Sequence, residues 1–132
     1  VTQEQISQKS LIKIVDDDGD VLSVFKNHLT NEGYNVHAFS DAEAAYEHFR
    51  YSPKDFSLML SDIRMPRMNR FELTRKVKAL NPEVKIILMT AFEINKSEAE
   101  KVLPSLRVDG FIEKPVSLNN ISEVIRKQLV DA

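Results

Sequence analysis

Cysteine is absent from the 132 residues, which removes disulfides, zinc–thiolate sites and thiol nucleophiles. Glycine occurs three times, too rarely to build a glycine-rich loop that cradles phosphates. No apolar run approaches the ~20 residues of a membrane-spanning helix. The opening VTQEQISQKS is polar and has no signal-peptide core. A cytoplasmic protein is the expectation. An excess of one charge is missing as well: 18 basic residues stand against 20 acidic ones. The basic residues are scattered, and the longest local cluster, TRKVK from Thr74, reads as an exposed helix face. Direct binding of nucleic acid is therefore not expected, since it needs a clustered basic surface.

What is present suits one globular domain: 42% hydrophobic residues support a core in a chain of ordinary single-domain length. Residues 1–10 read as a flexible lead-in and 11–132 as the domain. Short apolar runs alternate with amphipathic stretches. LIKIV (11–15), YNVHAF (34–39), FSLMLS (56–61), VKIILMT (84–90) and GFIE (110–113) read as strands. Helical spacing marks residues 20–31, capped by Asp18 or Asp20 and stopped at Gly33. A second helix opens at Ser40-Asp41, carries Ala42, Ala45, Tyr46 and Phe49 on one face, and closes before Pro53. A third, around 70–80, buries Leu73, Val77 and Leu80. A fourth is expected near Ala99, Val102 and Leu103 but meets Pro104, which breaks a helix passing through it. Leu118, Ile121, Ile125 and Leu129 mark the closing helix. Strands alternating with helices imply an α/β fold, a doubly wound parallel sheet of five strands covered on both faces. The order 2-1-3-4-5, as in flavodoxin-like (βα)5 folds, opens a crevice at the carboxyl ends of the strands.

The polar residues fall at those ends. Strand 1 stops at Asp16-Asp17, strand 3 at Asp62, strand 4 at Thr90, and strand 5 at Lys114. Strand ends meet water, so any one of these is unremarkable; their convergence on one rim is not. IKIVDDDGD packs four carboxylates behind an apolar strand, and crowded carboxylates resist ionising together. Carboxylates with room for water suit Mg²⁺, a cation that takes oxygen ligands and would offset the repulsion among Asp16, Asp17 and Asp62. His28, His37 and His48 have no ligand spacing and read as surface or partly buried residues. A carboxylate can also act as a nucleophile toward phosphorus, provided charge is neutralised nearby. Lys114 and Mg²⁺ would supply that charge, and Thr90 a hydroxyl donor.

The segments KIVDDD, LMLSDIRMP, ILMTA and DGFIEKP, in this order and spacing, resemble the receiver domain of two-component response regulators over about residues 10–130. The resemblance implies that Asp62 is the phosphoacceptor, with Asp17 binding Mg²⁺ directly, Asp16 largely through water, and the Arg64 main-chain carbonyl as a further ligand. It implies a switch pair, Thr90 and Phe111, with Thr90 moving toward the phosphoryl group as the ring turns inward. It also implies a cis Lys114-Pro115 bond. The expected partners are a histidine kinase or phosphotransfer protein as donor, and an effector or output domain. The helix 4–strand 5–helix 5 face would contact the effector or a second copy of the chain. Its segment NKSEAEKVLPSLRVDG is a candidate for partner specificity. Such a domain is a switch and not a conventional enzyme, with only self-phosphorylation from small donors and self-dephosphorylation.

The family usually has Gly where MPRMNR places Arg70; a side chain at a position needing positive φ costs about 1–2 kcal/mol. Arg64 and Phe92, two residues beyond Asp62 and Thr90, are expected to hinder water and slow loss of the phosphoryl group. Arg70 keeps a second reading in play: a pseudo-receiver, folded but not phosphorylated. A third is a haloacid-dehalogenase-like phosphatase with Asp16 as nucleophile and Asp18 as acid/base. In that reading, Asp20 stands where the family normally has Thr, and the late acidic pair is missing. A calcium loop on Asp16, Asp18 and Asp20 fails because Val21 stands where its glycine belongs.

Overall fold

A computed structural model describes residues 11–62, 72–90 and 108–130. Residues 1–10, Arg64, Arg70, Phe92 and the fourth expected helix lie outside the described residues. Five strands are present: β1 (Leu11–Val15), β2 (Asn35–Phe39), β3 (Leu58–Asp62), β4 (Lys85–Thr90) and β5 (Gly110–Glu113). The described helices are α1 (Gly19–Asn31), α2 (Ala42–Tyr51), α3 (Glu72–Leu80) and α4 (Leu118–Val130). All strand pairs are parallel, in the order β2-β1-β3-β4-β5, as the alternation of elements predicts.

Strand periodicity divides the core in two. Ile12 and Ile14 of β1, Leu58 and Leu60 of β3, and Ile87 and Met89 of β4 pack with Leu22, Phe25 and Leu29 of α1 and Ile121 and Ile125 of α4. Their neighbours Val15, Met59, Ile86 and Leu88 turn to the opposite face, against Ala45 and Phe49 of α2 and Leu73 and Val77 of α3. Side chains that alternate across a pleated strand force this division, and both faces are apolar because helices cover both.

The helix boundaries follow local chemistry. Asp18 is the α1 cap, its carboxylate accepting from the Asp20 and Val21 amides. At the other end Gly33 takes φ 97°, the left-handed conformation that suits glycine. The Gly33 amide donates to the Thr30 carbonyl and the Tyr34 amide to the Leu29 carbonyl, a Schellman closure. Asp41 caps α2 through the Glu43 amide.

Two expectations shift. Leu80 is 38% exposed, as the last residue of α3; Leu73, Thr74 and Val77 form the buried stripe instead. β3 begins at Leu58, two residues late, and Phe56 precedes it as a buried plug against Phe49.

Candidate functional site

The register brings the predicted residues to one rim. Val15 pairs with Ser61 across β1 and β3, so Asp16 and Asp62 follow at the same level. Both continue the rows of Ile12/Ile14 and Leu58/Leu60, so strand parity directs them to the same face. Asp62 pairs with Met89 on β4, and Thr90 with Glu113 on β5. Lys114 is the next residue, and its bond to Pro115 is cis.

Lys114 answers the question raised by the acidic cluster. Its Nζ lies 2.9 Å from Asp62 Oδ2 and 3.2 Å from Asp16 Oδ2, a single ammonium between two buried carboxylates. Burial alone would lower the Lys114 pKa. The hydrogen bond to Asp62 and the attraction of both carboxylates outweigh burial and raise it, keeping the amine charged. Asp16 is fully buried, and burial raises its pKa. The Asp18 amide and Lys114 oppose that rise, while Asp62 adds to it.

Carboxylate oxygens of Asp16, Asp17 and Asp62 lie within 4.8 Å of one another, and Asp17 is exposed. Three hard oxygen donors with one open to water fit a small divalent cation, which the lysine alone does not replace: it neutralises one charge of three. This cluster can therefore hold a metal.

Asp18 has a role that the sequence reading assigned only to capping. Its amide donates to Asp16 Oδ1 at 2.9 Å while its side chain caps α1, so the β1–α1 turn orients Asp16. The i to i+2 spacing of two aspartates after a strand is the signal for such a turn. The same contacts count against the phosphatase reading, in which Asp18 needs a free carboxyl group. Phe111 is half-buried and packs on the α2/α3 side of the core. Thr90 ends β4 at the rim. Beside the acidic cluster a groove of about 560 Å³ is lined by Val21, Val24, Phe25, Pro115 and Val116 together with Asp18, Asp20 and Lys114. His28, His37 and His48 are partly buried or exposed, as expected.

Comparison with known proteins shows the family and the fold. Residues 12–126 match the response regulator receiver domain family. The chain is 32% identical over 121 residues to the response regulator receiver protein CpdR of Brucella abortus, covering 92% of this chain and 98% of that protein. It is 30% identical over 120 residues to the transcriptional regulatory protein ZraR of Escherichia coli O157:H7, covering 89% of this chain but 26% of ZraR. Among solved structures, a CheY-like receiver domain protein from Methanospirillum hungatei superposes with a TM-score of 0.80 at 31% identity, covering 92% and 94% of the two chains. A receiver domain protein from Clostridium thermocellum superposes at 0.81 with 18% identity, covering 92% of this chain and 95% of that one, a likeness of fold.

Proposed function

Since the chain belongs to the response regulator receiver domain family, we propose that Asp62 accepts a phosphoryl group from a phosphohistidine of a partner kinase or phosphotransfer protein. The observation that carries this reading is the Asp62 carboxylate at the end of β3, with Lys114 Nζ 2.9 Å away and Asp16 and Asp17 beside it. An Asp62 oxygen attacks phosphorus as the donor's P–N bond breaks, its electron pair leaving on the imidazole. Little covalent help is needed, so positioning and charge decide the rate. Lys114 would stabilise negative charge on a phosphoryl oxygen, and Thr90 would donate a hydroxyl hydrogen bond.

Asp16, Asp17, Asp62 and the Arg64 carbonyl would hold Mg²⁺, which when bound supplies charge neutralisation at the phosphoryl oxygens. The groove along α1 and Pro115-Val116 gives the donor protein an apolar surface next to the acceptor. Phosphorylation then shifts an equilibrium between two conformations, read through Thr90 and Phe111. The effector, or a second copy of the chain, would meet the face of residues 91–107, β5 and α4. Arg64 and Phe92 slow the loss of the phosphoryl group; an unchanged dephosphorylation rate in Arg64→Ala/Phe92→Ala would remove that role. The proposed setting is the cytoplasm.

Intact mass after incubation with acetyl phosphate, with and without Mg²⁺, tests the reading. The expected result is one phosphoryl group, dependent on Mg²⁺ and lost in Asp62→Asn. No gain on folded protein would leave the pseudo-receiver reading, and Arg70→Gly would be the first reversion.

A further inference from the structure

A second lysine is buried far from that chemistry. Lys13, in the middle of β1, is fully buried. Its Nζ lies 4.1 Å from the Phe56 ring centroid, 4.7 Å from Phe49 and 5.1 Å from Phe39. It donates to the Ala45 carbonyl of α2 at 3.0 Å. Among the described residues no carboxylate forms an ion pair with it.

Two imidazoles close the chamber. His37 sits opposite Lys13 in the β1–β2 register, and its ring is 5.2 Å from that of His48 on α2. His48 packs on Phe39 and Phe56, two of the rings that wall Lys13. The other charged groups nearby are engaged or outside: Glu47 pairs with Arg50 on α2 and Glu72 with Lys76 on α3, while Glu43, Lys54 and Asp55 are exposed. β3 places Met59 opposite Lys13. Lys13 is thus enclosed in an aromatic chamber with no acid in it, with His37 partly buried beside it and the exposed His48 at its mouth.

We propose that Lys13, enclosed by these rings, is a pH-responsive device: its protonation puts uncompensated charge in the chamber and loosens the β2–α2 side of the domain, and its deprotonation tightens it. The rings attract an ammonium through their faces, yet burial dominates and lowers the Lys13 pKa from 10.5 to about 7. Burial, Lys13 and His37, in that order, also lower the His48 pKa. The unfolded chain keeps the Lys13 proton up to its ordinary value. Between about pH 7 and 10.5 it therefore holds more protons than the folded chain, and stability rises with pH. The loosened side reaches the acidic cluster, because the Phe39 carbonyl accepts from the Asp16 amide at 3.1 Å.

Urea unfolding between pH 6 and 10 tests the device on wild type, Lys13→Met and His48→Gln. Relative to Lys13→Met, the wild-type folding constant should rise about tenfold per pH unit above neutrality. His48→Gln should flatten the curve below that window. Parallel curves for wild type and Lys13→Met would overturn the proposal. Should Lys13→Met not fold, the ¹³Cε resonance of Lys13 in the wild type decides: titration near neutrality supports the device, and titration at or above the ordinary lysine value removes it. Amide exchange locates the effect. Protection on α2 and β2 should rise with pH more than on α4, and an equal rise on all three would overturn the local loosening.

Discussion

Lys13 and Lys114 are both withdrawn from water, yet their environments push them in opposite directions. Lys114 follows the end of β5, where Asp16 and Asp62 from the ends of β1 and β3 hold it charged. Lys13 stands in mid-strand, where its register neighbours are His37 and Met59, and burial drives it toward neutrality. Depth does not set the state of a buried cation; the availability of a counter-charge does, and in a parallel sheet counter-charges gather at the strand ends.

Substitution by methionine should separate the two sites sharply. Lys114→Met removes the Lys114 ammonium from two buried carboxylates. The phosphorylation rate at Asp62 should fall about 10²–10³-fold, the usual loss for one charge-stabilising donor. Stability at pH 7 should drop by about 3 kcal/mol, the low end for breaking a buried pair, because Lys114 keeps 26% of its side chain in water. Lys13→Met should act with the opposite sign. Replacing a buried charge with an apolar chain of similar length should stabilise the fold by about 3 kcal/mol at pH 7, with the gap closing toward pH 10. Its phosphorylation rate should change far less than that of Lys114→Met. Chemical denaturation and a phosphorylation time course on the same samples check all four statements.

Smaller effects sharpen the contrast. Asp18→Ala should cost about 1 kcal/mol of stability through the lost α1 cap. It should also weaken Mg²⁺ binding, measured by titration calorimetry, since the turn that aims the Asp18 amide at Asp16 is loosened. Ser122→Ala should cost least, about 0.5–1 kcal/mol by urea unfolding. Ser122 Oγ lies 2.6 Å from His28 Nε2 and donates to Glu32 Oε1 at 2.6 Å, tying α4 to α1 on the side away from Lys13.

The fold was legible because hydrophobic period and chain punctuation agreed. LIKIV, VKIILMT and GFIE could be read as strands from composition, and Asp18, Gly33 and Asp41 marked helix ends through their backbone chemistry. The candidate site was legible because its residues end strands and the strand order sets those ends side by side. Lys13 was passed over. In sequence it is one polar residue in an apolar run, and an edge strand would expose such a residue. The expected order places β1 between β2 and β3 and so makes the position core, but it does not say that a cation sits there without a counter-charge. Leu80 failed for the converse reason: the helical period places it on the apolar face, but the period does not say that the helix ends there, where its last residue is exposed.

The contact between Lys114 and Asp16 spans 98 residues, and that between Lys114 and Asp62 spans 52. Contacts this distant in sequence close late, since the loop entropy of each intervening segment must be overcome first. β5 and its lysine add to the far edge of the sheet from β2, so a chain that has ordered only β1 to β3 holds its acids together without their cation. Competence to receive a phosphoryl group would thus be the last property acquired during folding, and phosphorylation of Asp62 would label only molecules that have completed it.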